Sequence, residues 1–369
     1  NGITKFFGYL TRLSSGLYQI IVPINQSFIA GRAYNYTIYS NDTLNLTTEY
    51  DANFSVSYIR TLKTGNWPDP TVWSSGRVPN SDDDVLIETG HTITFNDTTQ
   101  RNVRNLVING TLTHSAGTSS VVAVINLTVS GNLTVNAQGL IDITSKGYST
   151  SNGPGSAGDN GGAGYGAYGI TVGSFAGGRQ YGNVLTPTDL GSGAGQGAGG
   201  GALIINITES AIINGTIFAN GTAGAGNSGG PSGGSIYLIT NTFTGNGTIQ
   251  IRGGTTGGGG AGGSGGRLAI YYTTSTFTGT ISAVGGSGPG GSGNAWTSVL
   301  IKQRSTANND LIITSGNANL STSQWETINI TGSTSILNVT AVRVNVTGNG
   351  FFGENSGTAN IQVFLNVSN

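Results

Sequence analysis

Asparagine carries the strongest chemical signal in this chain. Of 37 asparagines, 18 stand in Asn-x-Ser/Thr acceptor sites for N-linked glycan. They are Asn25, Asn35, Asn41, Asn45, Asn53, Asn96, Asn109, Asn126, Asn132, Asn206, Asn214, Asn220, Asn246, Asn319, Asn329, Asn338, Asn345 and Asn366. With Ser and Thr at about a quarter of the chain, chance alone gives roughly 9. An Asn-Gly turn followed by a strand-favouring Thr creates such a site incidentally. That explains Asn109, Asn214, Asn220 and Asn246, but not Asn126, Asn206, Asn329 or Asn338, where strand formers follow. Acceptors inside strands, as at Asn126 and Asn206, must face outward if sugar is attached.

Other chemistry is sparsely equipped. Two histidines, His91 and His114, and no cysteine make a poor zinc set. Asp82-Asp83-Asp84 offers calcium ligands without the spacing of a dedicated loop, so a solvated turn is the plainer expectation. Between 200 and 300 the only acidic residue is Glu209, whereas glycosidase or lyase chemistry needs paired carboxylates or an equivalent base. Glycine patterns of the dinucleotide type at Gly195, Gly197 and Gly200, and at Gly224, Gly226 and Gly229, lack the helix that would make them a phosphate cradle. No catalytic residue, cofactor or metal site is expected, and the chain is read as a non-enzyme.

Composition narrows the class further. Charged residues make up 8 %, net charge is −1, and Lys and Arg are scattered singly, which disfavours nucleic acid as a partner. Near-zero charge favours association, so sugar must keep the surface wet or association is the purpose. The 64 glycines fall between short apolar runs, so a core can be buried. Absence of Cys and Met suits an oxidising exterior and a processed mature chain or fragment. No run approaches the roughly 18 apolar residues of a membrane span.

The elements that would position these residues repeat. Gly215-Thr216-Ile217, Gly247-Thr248-Ile249 and Gly279-Thr280-Ile281 are 32 and 32 residues apart. Preceding strands keep the register: Ala202-Leu203-Ile204-Ile205, Ser235-Ile236-Tyr237-Leu238 and Arg267-Leu268-Ala269-Ile270, with Thr297 to Ile301 one period on. In the third copy Thr278 replaces the asparagine, so the turn itself does not demand that residue. Upstream, Gly110-Thr111-Leu112 and Gly131-Asn132-Leu133 suggest a shorter, 21-residue step. Short strands that bury little alone make a continuous core when stacked, which predicts an all-β fold built on a parallel β-helix. A β-propeller is the rival at this period, but two or three strands per unit and no blade signature favour the solenoid.

Ahead of the repeat stand Thr71-Val72-Trp73-Ser74-Ser75-Gly76-Arg77-Val78-Pro79, then Asp82 to Ile87, Gly90-His91-Thr92-Ile93-Thr94-Phe95, and Asn105 to Leu112. Across residues 66–145 this order resembles β-helical surface proteins containing the domain family named for its eight glycines. The resemblance implies a right-handed β-helix on an extracellular protein; it does not imply an enzyme. Richness in Ser, Thr, Asn and Tyr also resembles archaeal surface and filament proteins.

Three regions are expected: an antiparallel sandwich or cap over 1–62, the β-helix with glycine-rich insertions over 63–308, and a C-terminal β cap over 309–369. Glycine-rich segments at 152–201, 221–234, 253–266 and 285–293 are either flexible loops or an ordered layer of polyproline-II-like strands bonded backbone to backbone. Tyr165, Tyr168, Phe175 and Tyr181 either anchor the longest segment or form a contact surface. The expected function is structural. The chain would be an extracellular, cell-surface glycoprotein, the subunit of a filament, sheath or surface layer, self-associating into a homopolymer with Tyr18 to Ile24 as the donor strand. The alternative is a monomeric adhesin or carbohydrate-binding stalk; a polysaccharide-degrading enzyme comes third.

Overall fold

The computed structural model describes residues 58–291 throughout, apart from 118–122, 196, 224–225 and 227. Beyond that span it describes the backbone of strands at 11–12, 18–19, 33–41, 47–55, 298–303, 310–313, 318–319, 324–331, 336–337 and 340–347. The chain forms two compact units, Asn1–Tyr58 and Ile59–Asn369. In the first unit Ala33–Asn41 pairs antiparallel with Thr47–Ser55, and Thr11–Arg12 with Tyr18–Gln19. The remainder of the expected donor segment, Ile20 to Ile24, lies outside the described residues.

The second unit is a parallel β-helix whose coils contribute one strand to each of three sheets. Sheet one stacks Ile59–Arg60, Asp84–Ile87, Asn105–Ile108, Leu133–Val135, Ser210–Ile213, Thr242–Thr244 and Thr274–Ser275. Sheet two stacks Gly65–Asn66, Thr92–Phe95, Thr111–His114, Leu140–Asp142, Thr216–Phe218, Thr248–Gln250 and Thr280–Ser282. Sheet three runs from Arg101–Val103 through Ile125–Val129, Ala202–Ile207, Ser235–Ile239 and Arg267–Tyr272 to Ser298–Gln303. It then turns antiparallel to Asp310–Ile313 before continuing in parallel through Gln324–Thr331 and Thr340–Thr347. The first rung therefore begins at Ile59, ahead of the boundary expected at 63.

The 32-residue period is a stacking period. Thr216 pairs Thr248, which pairs Thr280; Ala202, Ser235, Arg267 and Ser298 form a second row. The proposed 21-residue step is not: Leu112 lies in sheet two and Leu133 in sheet one. Leu133 pairs Leu106, while Thr111 pairs Leu140, so the resemblance between the two triplets joined different faces of the coil. Within strands, burial alternates as the pleat requires: Ile125, Leu127 and Val129 point inward between half-buried Asn126 and Thr128. Stacking these inward rows makes one continuous core from Trp67 to Ala283.

The N-terminal end of that core is plugged by aromatics. Trp67 and Trp73 are fully buried and meet edge to face at 4.9 Å, and Phe95 lies 5.0 Å from Trp67. A single 3-10 turn, Pro70–Val72, capped by the Asp69 side chain, folds Trp73 back so that its Nε1 donates to the Trp67 carbonyl at 2.9 Å. Trp73→Phe keeps the ring packing and removes that buried donor. It should lower stability by about 1–2 kcal/mol in chemical denaturation, with the cooperativity of the transition unchanged.

Between sheet two and sheet three each later coil detours through glycine, and these detours form a second interior. Along 260–266, Ala261 and Ser264 donate to the carbonyls of Asn160 and Ala163; Gly263 and Gly266 donate to Gly254 and Ile251. The carbonyls of Ala261 and Ser264 accept from Gly230 and Gly233, and that of Gly263 accepts from Gly286. Each direction recurs every third residue, and one run bonds to four neighbours, where a β-strand has at most two. A three-residue repeat of outward bonds is the geometry of polyproline II. The segments thus form an ordered bundle and not flexible loops. Glycine is required by proximity: a Cβ on Gly263 would be driven into the Pro231 carbonyl, and one on Gly233 into that of Ile251.

Candidate functional site: glycan acceptors on the coil surface

Eight of the acceptor asparagines have described side chains, and none is buried. Asn96, Asn206, Asn214 and Asn246 are exposed; Asn109, Asn126, Asn132 and Asn220 are half-buried. Asn126 and Asn206 do face outward, each between two inward-pointing neighbours of sheet three. Asn214 and Asn246 occupy the same corner of adjacent coils, each just before a Gly-Thr pair whose threonines are partners in sheet two. Asn109 lies at that corner nearer the N-terminal end, where its Oδ1 accepts from Asn136 Nδ2 at 2.6 Å. Asn220 Oδ1 accepts from the Arg252 amide of the next coil at 2.7 Å. Asn35, Asn41, Asn53, Asn319, Asn329 and Asn345 lie in strands described by backbone alone, and Asn25, Asn45, Asn338 and Asn366 outside the described residues.

The acidic turn is structural chemistry. Asp83 takes a two-pronged ion pair from Arg77 at 2.6 and 2.7 Å and caps the Asn80 amide. Although Asp83 is partly desolvated, which raises its pKa, these contacts with Arg77 and Asn80 hold its carboxyl below the usual range. Asp84, 3 % exposed, is clasped by Arg104 at 2.6 and 2.7 Å and by Asn105 Nδ2 at 2.7 Å. Arg101 similarly holds Asp97. Among the described residues no three His, Cys, Asp or Glu side chains gather as a metal site would need.

The two histidines also serve the fold. His91 Nδ1 shares a 2.8 Å hydrogen bond with Thr61 Oγ1. His114 is fully buried, with Nδ1 bonded to the Ser115 carbonyl at 2.8 Å and Nε2 accepting from the Ala202 amide at 3.1 Å. Those partners assign a neutral ring protonated on Nδ1. Burial pushes the imidazole down to about 4, with the nearby Lys146 charge adding to the effect against the favourable Ser115 bond. His114 thus fastens the point where the chain re-enters the β-helix after its longest glycine detour.

Two aromatic residues of that detour, Tyr165 and Tyr181, take the anchoring role. Tyr165 is fully buried, 4.6 Å from the Tyr181 ring, with the buried Arg267 guanidinium 5.6 Å over its face. Arg267 Nε also donates to the Tyr181 carbonyl at 2.9 Å, tying detour to sheet three. Tyr168 and Phe175 are instead 64 % and 37 % exposed. Sequence reasoning missed the Arg267 and His114 anchors, because single polar residues inside apolar strands give no spacing signal. It also missed the contacts of Asn132, described below.

Outward carboxamides on a three-sheet coil, with clustered charges paired to one another, belong to a parallel β-helix. In agreement, residues 72–150 match the family model described as the G8 domain, a domain typical of extracellular proteins. The match runs from the end of the 3-10 turn through three rungs to the start of the long glycine detour. No curated protein and no solved structure matches the chain. Among the described residues no helix is long and apolar enough to cross a membrane.

Proposed function

We propose that the chain is a structural cell-surface glycoprotein, the subunit of an extracellular filament, sheath or surface layer, and not an enzyme. One observation carries the reading: among the described residues Asp83, Asp84 and Asp97 are spent holding local structure together, while the coil exterior presents acceptor carboxamides and threonine hydroxyls. Asp83, Asp84 and Asp97 are each held by an arginine. A catalytic carboxylate would need access to a substrate, which Asp84, buried and clasped by Arg104 and Asn105, does not have. Missing sulfur and dense acceptors fit the surface proteins of archaea in composition.

Self-association draws support from how acceptors are distributed. No acceptor site lies between Asn132 and Asn206, or between Asn246 and Asn319. Those stretches contain the glycine runs 152–201, 253–266 and 285–291, though not the run 229–234 that bonds between them, and among the described residues they carry the exposed apolar side chains Tyr168, Phe175 and Val284. Long stretches free of acceptor sites and carrying exposed aromatics suit contact between copies. Strand contributions from the N-terminal unit would add to it. Electron microscopy of the purified glycoprotein should show long regular fibres or sheets. Phe175→Asp combined with Tyr168→Ser should shorten them, and removal of the first 30 residues should leave dispersed particles. Isolated rods at high concentration, unaffected by the truncation, would instead mark a single-molecule adhesin or stalk.

A further inference from the structure

We propose that Asn132 is an acceptor site kept bare of sugar, a hydrogen-bonding post between coils, and that glycan is carried by the outward carboxamides at Asn126, Asn206, Asn214 and Asn246. The inference rests on the glycoprotein reading and adds which sites serve it.

Asn132 sits where sheet three turns into sheet one, and all of its polar groups are engaged with adjacent coils. Its Nδ2, the atom that would take the sugar, donates to Glu209 Oε2 at 2.8 Å, and its Oδ1 accepts from the Ser210 amide at 3.1 Å. Its own amide donates to Asn105 Oδ1 at 2.7 Å, and its carbonyl accepts from Leu106. Asn105 in turn donates to Asp84, which Arg104 holds. A ladder of side-chain bonds, with one rung through the Asn132 backbone amide, therefore climbs the corner from Asp84 through Asn105 and Asn132 to Glu209. Its last step joins coils separated in sequence by the whole 143–201 detour. Coils are about 4.8 Å apart, narrower than a pyranose ring, so sugar on Nδ2 would displace Glu209. Asn206, Asn214 and Asn246 are exposed and make no such demand.

Two variants separate the roles, because Thr134→Val abolishes the acceptor site while leaving Asn132 in place. Glycopeptide mass spectrometry of the native protein should find occupancy at Asn132 at least tenfold below that at Asn206. Asn132→Ala should lower the melting temperature by about 2–4 °C, whereas Thr134→Val should melt within a degree of wild type. Sugar on Asn132 at a level like that of Asn206, or equal melting shifts for the two variants, would overturn the inference. Unmodified masses at every acceptor peptide would overturn the glycoprotein reading itself, and the assignment of sugar to the other four sites with it.

Discussion

Gly263→Ala is expected to cost about 3 kcal/mol or more, whereas Gly257→Ala in the same glycine run stays within about 0.5 kcal/mol of wild type. The two positions are chemically identical and differ only in surroundings. A methyl group at Gly257 meets nothing within 4 Å, while at Gly263 it is forced into the Pro231 carbonyl and crowds Gly230. Relief would require parting 260–266 from 229–234, breaking the bonds from Gly230 and Gly233 to Ala261 and Ser264. Those groups are buried, so each loss leaves an unsatisfied donor and acceptor costing about 1–3 kcal/mol. Thermal or urea unfolding of both variants checks the contrast. Equal, negligible effects would mean that the detour is a loose loop.

Acidification should expose the second fastener. His114 is held neutral at a native pKa of about 4, against an ordinary value near 6.5 in the unfolded chain. Between those values the unfolded state binds the extra proton, so stability falls as pH falls. The contribution is complete above about pH 6.5 and lost as pH falls through about 4; by linkage it amounts to about 3 kcal/mol. Protonation also puts a hydrogen on Nε2, opposing the Ala202 amide it now accepts from. His114→Gln can preserve an acceptor and a donor without titrating. Urea unfolding at pH 7 and pH 4 should therefore show wild type losing about 3 kcal/mol more than this variant. Parallel losses in the two proteins would show that His114 does not titrate in this range.

Much of this architecture was readable from spacing alone. The Gly-Thr-Ile triplets fall in register because each opens the sheet-two strand of its coil, with the glycine at the corner. Outward placement of Asn126 and Asn206 follows from period-two alternation with Ile125, Leu127, Ile205 and Ile207. The 21-residue step misled because Gly-x-Leu is written at two corners of one coil, and only pairing tells them apart. For the glycine runs the composition left both loop and layer open. What decides is which carbonyl each amide meets, information held in residues up to about a hundred positions away, as in the bond from the Ser264 amide to the Ala163 carbonyl. The clip from Asn132 to Glu209 spans the longest detour and has no local signal at all.

Amide hydrogen exchange across the glycine runs tests most directly whether they form a second, backbone-bonded interior. Amides of Gly200, Gly230, Gly233 and Gly266 should exchange through the same slow, global opening as those of Ile205, Leu238 and Ile270 in sheet three. Exchange of these glycines at the rate of an unstructured chain, with sheet three still protected, would contradict the account.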